Sequence, residues 1–384
     1  MITVDRATSL LDDLVRIESV TPWLIPGGQG ERAVAEYIVS WVDDLPVDVS
    51  VDEIEDGRVN CVLRLPGGGG GPTLCVNAHA DTVGYANWAD RALIPTVEGD
   101  RMVGLGAADD KGGCAASLLA LRALVENGAD LRGDLLVALV ADEEGVSIGT
   151  EDLIRRYPMD ATIIVEPDEL PRAIVEHQGF GWIDVIVHGV PSHGSAPDAG
   201  VDAIVHMAEV IRRLHRLDVE VFVPNPDAMN GRTVFHTGTI RGGTDYATYP
   251  SRAVLGIEIG TQPGEHLSDR VRDIEAIFEE IAAEDPRFRG EVEVQLDREP
   301  FRAEGHEALW DAIDAAAMDV LGVPLKPAGL NAWADSGLTQ AAGIPTIMLG
   351  PLGGNFHAPD EWVSIPEVAA TANVLESAAR RFLT

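Results

Sequence analysis

The chain has 384 residues, more than a single hydrophobic core usually organises, so two compact units are expected. Its 46% hydrophobic and 24% charged residues are those of a folded enzyme and exclude a disordered or fibrous protein. The formal charge of -35, set by 63 acidic against 28 basic residues, excludes nucleic acid as a partner and disfavours an acidic membrane surface, because phosphate recognition needs clustered Lys and Arg.

The N-terminal stretch MITVDRATSLLDDLVRIESV alternates apolar and acidic residues and lacks the basic, apolar and small-residue regions of a signal peptide. No apolar run is long enough to span a bilayer, so a cytoplasmic protein is expected. Apolar spacing predicts helices over 5–20 and 30–44, then an acidic strand-like stretch and a turn at Pro66 and Gly68 to Gly71. The segments TLCVNAHAD, LLVALVADEEG and ATIIVEP each read as a short apolar strand ending in polar residues, with the helix-forming run CAASLLALRALVENG between the first two. That is a βαβ arrangement, which predicts an α/β domain with a mostly parallel sheet. In such sheets functional groups gather at the carboxyl ends of strands, where His79, Asp81, Glu143, Glu144 and Glu166 fall. Cys61, Cys75 and Cys114 are odd in number and show no CxxC pairing, so reduced core residues are expected.

From about residue 176 the texture changes to strand, helix, two strands, helix, strand: GWIDVIVHG, 200–217, TVFHTGTIRGG, AVLGIEIGTQ, 265–283 and EVEVQLD. This predicts an α+β open-faced sandwich over 176–297, inserted into a catalytic domain formed by 1–175 and 298–384. The last strand, IPTIMLGP, leads into GGNFHAPDEW, again a polar site after a strand end.

His79 and Asp81 form an H-x-D at a strand end, where alternate side chains point the same way. A neutral imidazole is a common zinc ligand, and a nearby carboxylate fixes its tautomer and raises its basicity. In GLGAADDKGG the glycines permit a tight path around Asp109 and Asp110, and the spacing of a phosphate-binding Walker loop is absent. ADEEG puts adjacent acids after an apolar strand, so one can hold a metal while the other reaches a water. Together His79, Asp109, Glu144, Glu166 and His357 offer two nitrogen and three carboxylate donors, enough for two zinc ions sharing one carboxylate and a hydroxide activated between them. The mixed set favours zinc over calcium, with cobalt or manganese able to substitute.

The H-x-D, the G-x-G-x-x-D-x-K-G-G run, DEEG, EP and the late H-x-P-D-E occur in the order that resembles the dinuclear zinc amidohydrolase family of acetylornithine deacetylase, succinyl-diaminopimelate desuccinylase, aminoacylase and glutamate carboxypeptidase. The resemblance runs from His79 to Trp362 and in effect covers the chain. It implies that His79, Asp109 and Glu166 hold one zinc and Asp109, Glu144 and His357 the other, with Asp109 bridging. Glu143 would be the general base, and Asp81 would orient His79. PSHGSAP at 191–197 is similar to the family's lid motif, which implies a homodimer in which His193 crosses the interface to stabilise an oxyanion.

The sequence also departs from that pattern. Many members carry an Asn three residues before a lid Pro and an Arg in a later D-x-R strand to bind the substrate carboxylate, and Ala247 and Gly260 stand there instead. Arg252, or Arg241, is expected to take over. The leading expectation is hydrolysis of a small N-acyl amino acid. A dipeptidase or carboxypeptidase remains open within the same chemistry, and a non-catalytic metal-binding protein outside it.

Overall fold

The computed structural model describes residues 1–55 and 57–384. The chain divides into one unit of Met1–Val175, Ala303–Ala328 and Ala334–Thr384 and a second of Glu176–Arg302 with Gly329–Trp333. The second unit runs to Arg302 rather than 297, because Phe301 and Arg302 pair with His177 and Glu176 as a strand. It also takes in the short segment 329–333, where Trp333 Nε1 donates to the Glu299 carbonyl at 3.2 Å.

In the first unit, Thr73–His79 lies parallel between Asp134–Val140 and Ala161–Val165, and Ala161–Val165 pairs parallel with Thr346–Leu349. Antiparallel strands Val59–Leu65 and Asp48–Glu53 extend this parallel core on one side, so the mixed α/β class and the parallel centre stand as expected. The parallel strands are apolar along almost their whole length because both faces are covered. Leu74, Val137, Leu139, Ile163 and Ile347 are all buried, and each such side chain contributes roughly 1.5–3 kcal/mol.

Parallel neighbours need a crossover, and the helix Lys111–Glu126 supplies it between Thr73–His79 and Asp134–Val140. Asp110 caps its first turn, its side chain accepting from the Gly113 N–H at 3.0 Å. The helices Val4–Val15 and Ile365–Leu383 pack on Lys111–Glu126, and Glu307–Leu321 packs on Ile365–Leu383.

A small sheet was not legible in the sequence. Thr96–Glu98, Arg101–Val103, Trp362–Ser364 and Gly353–Gly354 pair antiparallel, and they tie the loop after Val103 to the loop before Trp362. Those loops carry Asp109 and His357.

The second unit is an antiparallel sheet in the order Phe235–Gly242, Arg252–Thr261, Gly179–His188, Arg289–Arg298. Helices Ala203–Leu217 and Leu267–Glu284 cover one face, where Ile183, Val185, Leu255, Ile257, Met207, Leu214 and Ile274 form the core. No helix of either unit is long and apolar enough to cross a membrane, among the described residues. Cys61, Cys75 and Cys114 are free and buried.

Candidate metal centre

His79 is the last residue of its strand and is buried. Its Nδ1–H donates to the Asp81 carbonyl at 3.1 Å, which turns Nε2 toward the acidic cluster as the ligand-capable nitrogen. Nε2 lies 2.9 Å from Asp109 Oδ1 and 3.8 Å from Glu166 Oε1. On the other side of Asp109, His357 Nε2 is 3.3 Å from Oδ2 and 3.0 Å from Glu144 Oε2. The two oxygens of Asp109 therefore face two different histidines. Ligand atoms of His79, Glu143 and Glu166 lie within 4.8 Å of one another, and so do those of Asp109, Glu144 and His357.

Local hydrogen bonding sets these positions. The Asp81 carboxylate, expected to orient His79, stands 3.5 Å from its Nδ1 and also accepts from the Glu143 and Glu144 backbone N–H groups at 3.1 and 3.2 Å. The Asp81 carbonyl and carboxylate both face His79 Nδ1, and the carboxylate also pins the adjacent acids. Glu361, to which the sequence reading gave no role, is fully buried and accepts from the N–H groups of Gly106, Ala108 and Asp109 at 3.0, 2.9 and 3.0 Å. It fixes the backbone that presents Asp109. The only sequence signal for Glu361 is its place in the late H-x-P-D-E run. His357 itself sits at φ 56°, a left-handed conformation costly for a side chain with a Cβ and of the kind stored at functional sites.

The electrostatics of the cluster are those of crowded, buried carboxylates. Burial pushes the carboxyl groups of Glu143 and Glu166 well above the usual range, and neighbouring acids add to the push in both. Burial and then Asp109 push Glu144 up to about 7. Hydrogen bonds to Asp109 and Glu144 push His357 up to about 11. Glu144 Oε1 is buried with no hydrogen-bond partner among the described residues. A crowd of carboxylates with two imidazoles and an orphaned carboxylate oxygen is the donor set that divalent cations satisfy, so these residues fit a metal centre.

The remaining expected residues lie in the second unit. His193 is exposed, with Nδ1 2.8 Å from Ser195 Oγ, and its loop pairs with Thr248. Arg241 and Arg252 line a groove of about 320 Å³ on the helix-free face of the sheet, together with Asp184, Thr239 and Thr244. Arg241 pairs across the strands with Val254, which puts Arg241 and Arg252 on the same face. Neither arginine has an ionic or hydrogen-bond partner among the described residues. Gly260 is closely surrounded: a Cβ there would lie 2.7 Å from Gln178 Oε1, which accepts from the Val234 N–H at 3.0 Å. An arginine has no room at that position unless Gln178 moves.

A family model described as Peptidase family M20/M25/M40 matches residues 75–381, most of the chain. The chain belongs to this family. It is a hydrolase of amide bonds with a divalent metal cofactor. An acetylornithine deacetylase of Aliivibrio fischeri (strain MJ11) is 28% identical over 357 residues, covering 90% of each chain. Among solved structures, aminopeptidase PepT of Bacillus cereus aligns over 100% of both chains with a TM-score of 0.80 at 22% identity. A dinuclear metal-binding peptidase of the M20 family from Bacillus subtilis aligns over 99% of this chain and 98% of its own, with a TM-score of 0.73 at 14% identity. At these identities the solved structures establish that this M20 chain has the family's fold.

Proposed function

We propose that this M20-family protein hydrolyses the amide bond of a small N-acyl amino acid, releasing a carboxylic acid and a free amine. The observation that carries the reading is Asp109 set between His79 and His357, with Glu143 and Glu144 beside it. In this reading His79, Asp109 and Glu166 hold one zinc ion and Asp109, Glu144 and His357 a second, with cobalt or manganese as substitutes. When bound, the ions supply Lewis-acid chemistry, polarising the scissile carbonyl and acidifying water. Glu143 takes a proton at its carboxylate as the water oxygen bonds to the carbonyl carbon. As the carbon–nitrogen bond breaks, it delivers that proton to the leaving nitrogen. Asp81 holds Glu143 in place through the backbone.

His193 is assigned to donate a hydrogen bond to the developing oxyanion from the partner chain of a homodimer joined through the second unit. Mixing chains tests this. A His193→Ala chain combined with a Glu143→Gln chain is expected to regain part of the activity, because one hybrid site then contains both intact residues. With hybrids verified, no recovery would mean that His193 acts within its own chain or not at all.

Arg252, with Arg241 beside it, is assigned to the substrate carboxylate; two unpartnered cations on one groove of a strongly acidic protein support this. A charge-assisted hydrogen bond is worth roughly 1.5–3 kcal/mol, so Arg252→Ala should raise KM by about tenfold to a hundredfold for a substrate with a free carboxylate. Its amide should be little affected. The measurement is a panel of acetyl, succinyl and formyl amino acids and unprotected dipeptides, each as acid and amide, with wild type and variant. Equal effects on acid and amide would remove Arg252 from the site, and turnover of dipeptides alone would make the protein a peptidase rather than a deacylase.

A further inference from the structure

The turn that presents Glu143 is folded around a different acid, Asp142. Asp142 stands at φ 68°, where the chain leaves the strand Asp134–Val140. Its carbonyl accepts from the N–H groups of Gly145 and Ser147 at 3.1 and 2.7 Å, and its Oδ2 accepts from the Val146 N–H at 3.1 Å. Its Oδ1 accepts from Thr21 Oγ1 at 3.0 Å and from Arg58 Nη1 at 2.7 Å. The carboxylate is packed so tightly into the turn that a Cβ on Gly145 would come within 2.5 Å of Oδ1. Glu143 and Glu144 leave this turn with their N–H groups on Asp81.

Arg58 is the cation of this cluster. Its Nε donates to both oxygens of Glu31, at 3.1 and 3.0 Å, and its Nη2 donates to Glu31 as well, while Nη1 reaches Asp142. Arg58, Glu31 and Asp142 are 6%, 1% and 1% exposed. A planar guanidinium can hold two carboxylates at fixed angles, which a point charge on a flexible stem cannot. Buried ion networks of this kind are weak sources of net stability compared with apolar packing of equal volume, and their best-attested use is to specify one geometry. The geometry specified here is that of the turn bearing Glu143.

We propose that Arg58, clamped by Glu31, is a positioning residue for Glu143: it fixes Asp142, and through Asp142 the direction in which Glu143 meets the substrate. The proposal rests on Glu143 being the proton carrier. Small misplacements of a catalytic group cost on the order of a hundredfold, so the effect is large for a residue that touches no substrate.

Two variants test it, measured as kcat and KM per folded, metal-loaded chain beside metal content and Tm. Arg58→Lys keeps the charge and loses the fork, and it is expected to lower kcat by about tenfold to a hundredfold. KM should stay within about threefold of wild type, because substrate contacts are not disturbed, and bound metal should be unchanged. Thr21→Val removes one hydrogen bond to Asp142 at nearly constant volume, and is expected to lower kcat by about threefold to tenfold. If Arg58→Lys does not fold, Thr21→Val decides alone. A lower Tm with wild-type kcat per loaded chain would reduce Arg58 to a structural role and overturn the proposal, as would a fall in kcat that merely follows loss of metal. Wild-type turnover in Glu143→Gln would instead remove the reading on which the proposal rests, and is measured separately.

Discussion

Glu143→Gln is expected to keep its bound metal at the wild-type level and lose about a hundredfold to ten-thousandfold in kcat. The amide preserves the shape of the side chain and leaves untouched the backbone N–H that donates to Asp81 at 3.1 Å. What it removes is the proton acceptor. The ligand atoms of Glu143, His79 and Glu166 lie within 4.8 Å of one another, so the position of Glu143 suits a ligand as well as a base. The two roles separate in this variant: a pure base loses turnover and keeps metal, whereas a ligand loses both. Wild-type turnover would mean that another group moves the proton.

Asp109→Ala is expected to empty the centre. Asp109 puts Oδ1 2.9 Å from His79 Nε2 and Oδ2 3.3 Å from His357 Nε2, so the substitution removes the one carboxylate that faces both histidines. It also leaves the two imidazoles and the remaining acids without the anion between them. Hydrolysis should fall to the limit of detection, and metal analysis should find less than half of the wild-type content. Near-complete metal retention would contradict the bridging assignment and leave Asp109 as a partner of one ion at most.

The parallel core was legible because its strands are short apolar runs that end abruptly in polar residues, and His79, Glu143, Glu144 and Glu166 stand at those ends. The second unit was legible from the switch to alternating strands such as GWIDVIVHG. The strands Thr96–Glu98 and Arg101–Val103 were not, being three residues each and partly exposed, too short for any period to show. The supporting network was not legible for another reason. Arg58 and Asp142 are 84 residues apart, and Glu361 and Asp109 are 252 apart; nothing local marks either pair as partners. Nothing in the sequence singles out Arg58, and only the fold buries it between two acids. Gly260 likewise read as a missing arginine, and the structure adds that a side chain there would meet Gln178 Oε1 at 2.7 Å.

The most direct measurement follows amine release from N-acetyl amino acids by chain stripped with a chelator and then titrated with zinc, cobalt or manganese, with bound metal counted at each step. Activity should be absent from the stripped chain, return with the added ion, and level off at two ions per chain. Hydrolysis at full rate by the metal-free chain, or none of any amide by the chain carrying two ions, would contradict metal-dependent amide hydrolysis at this centre.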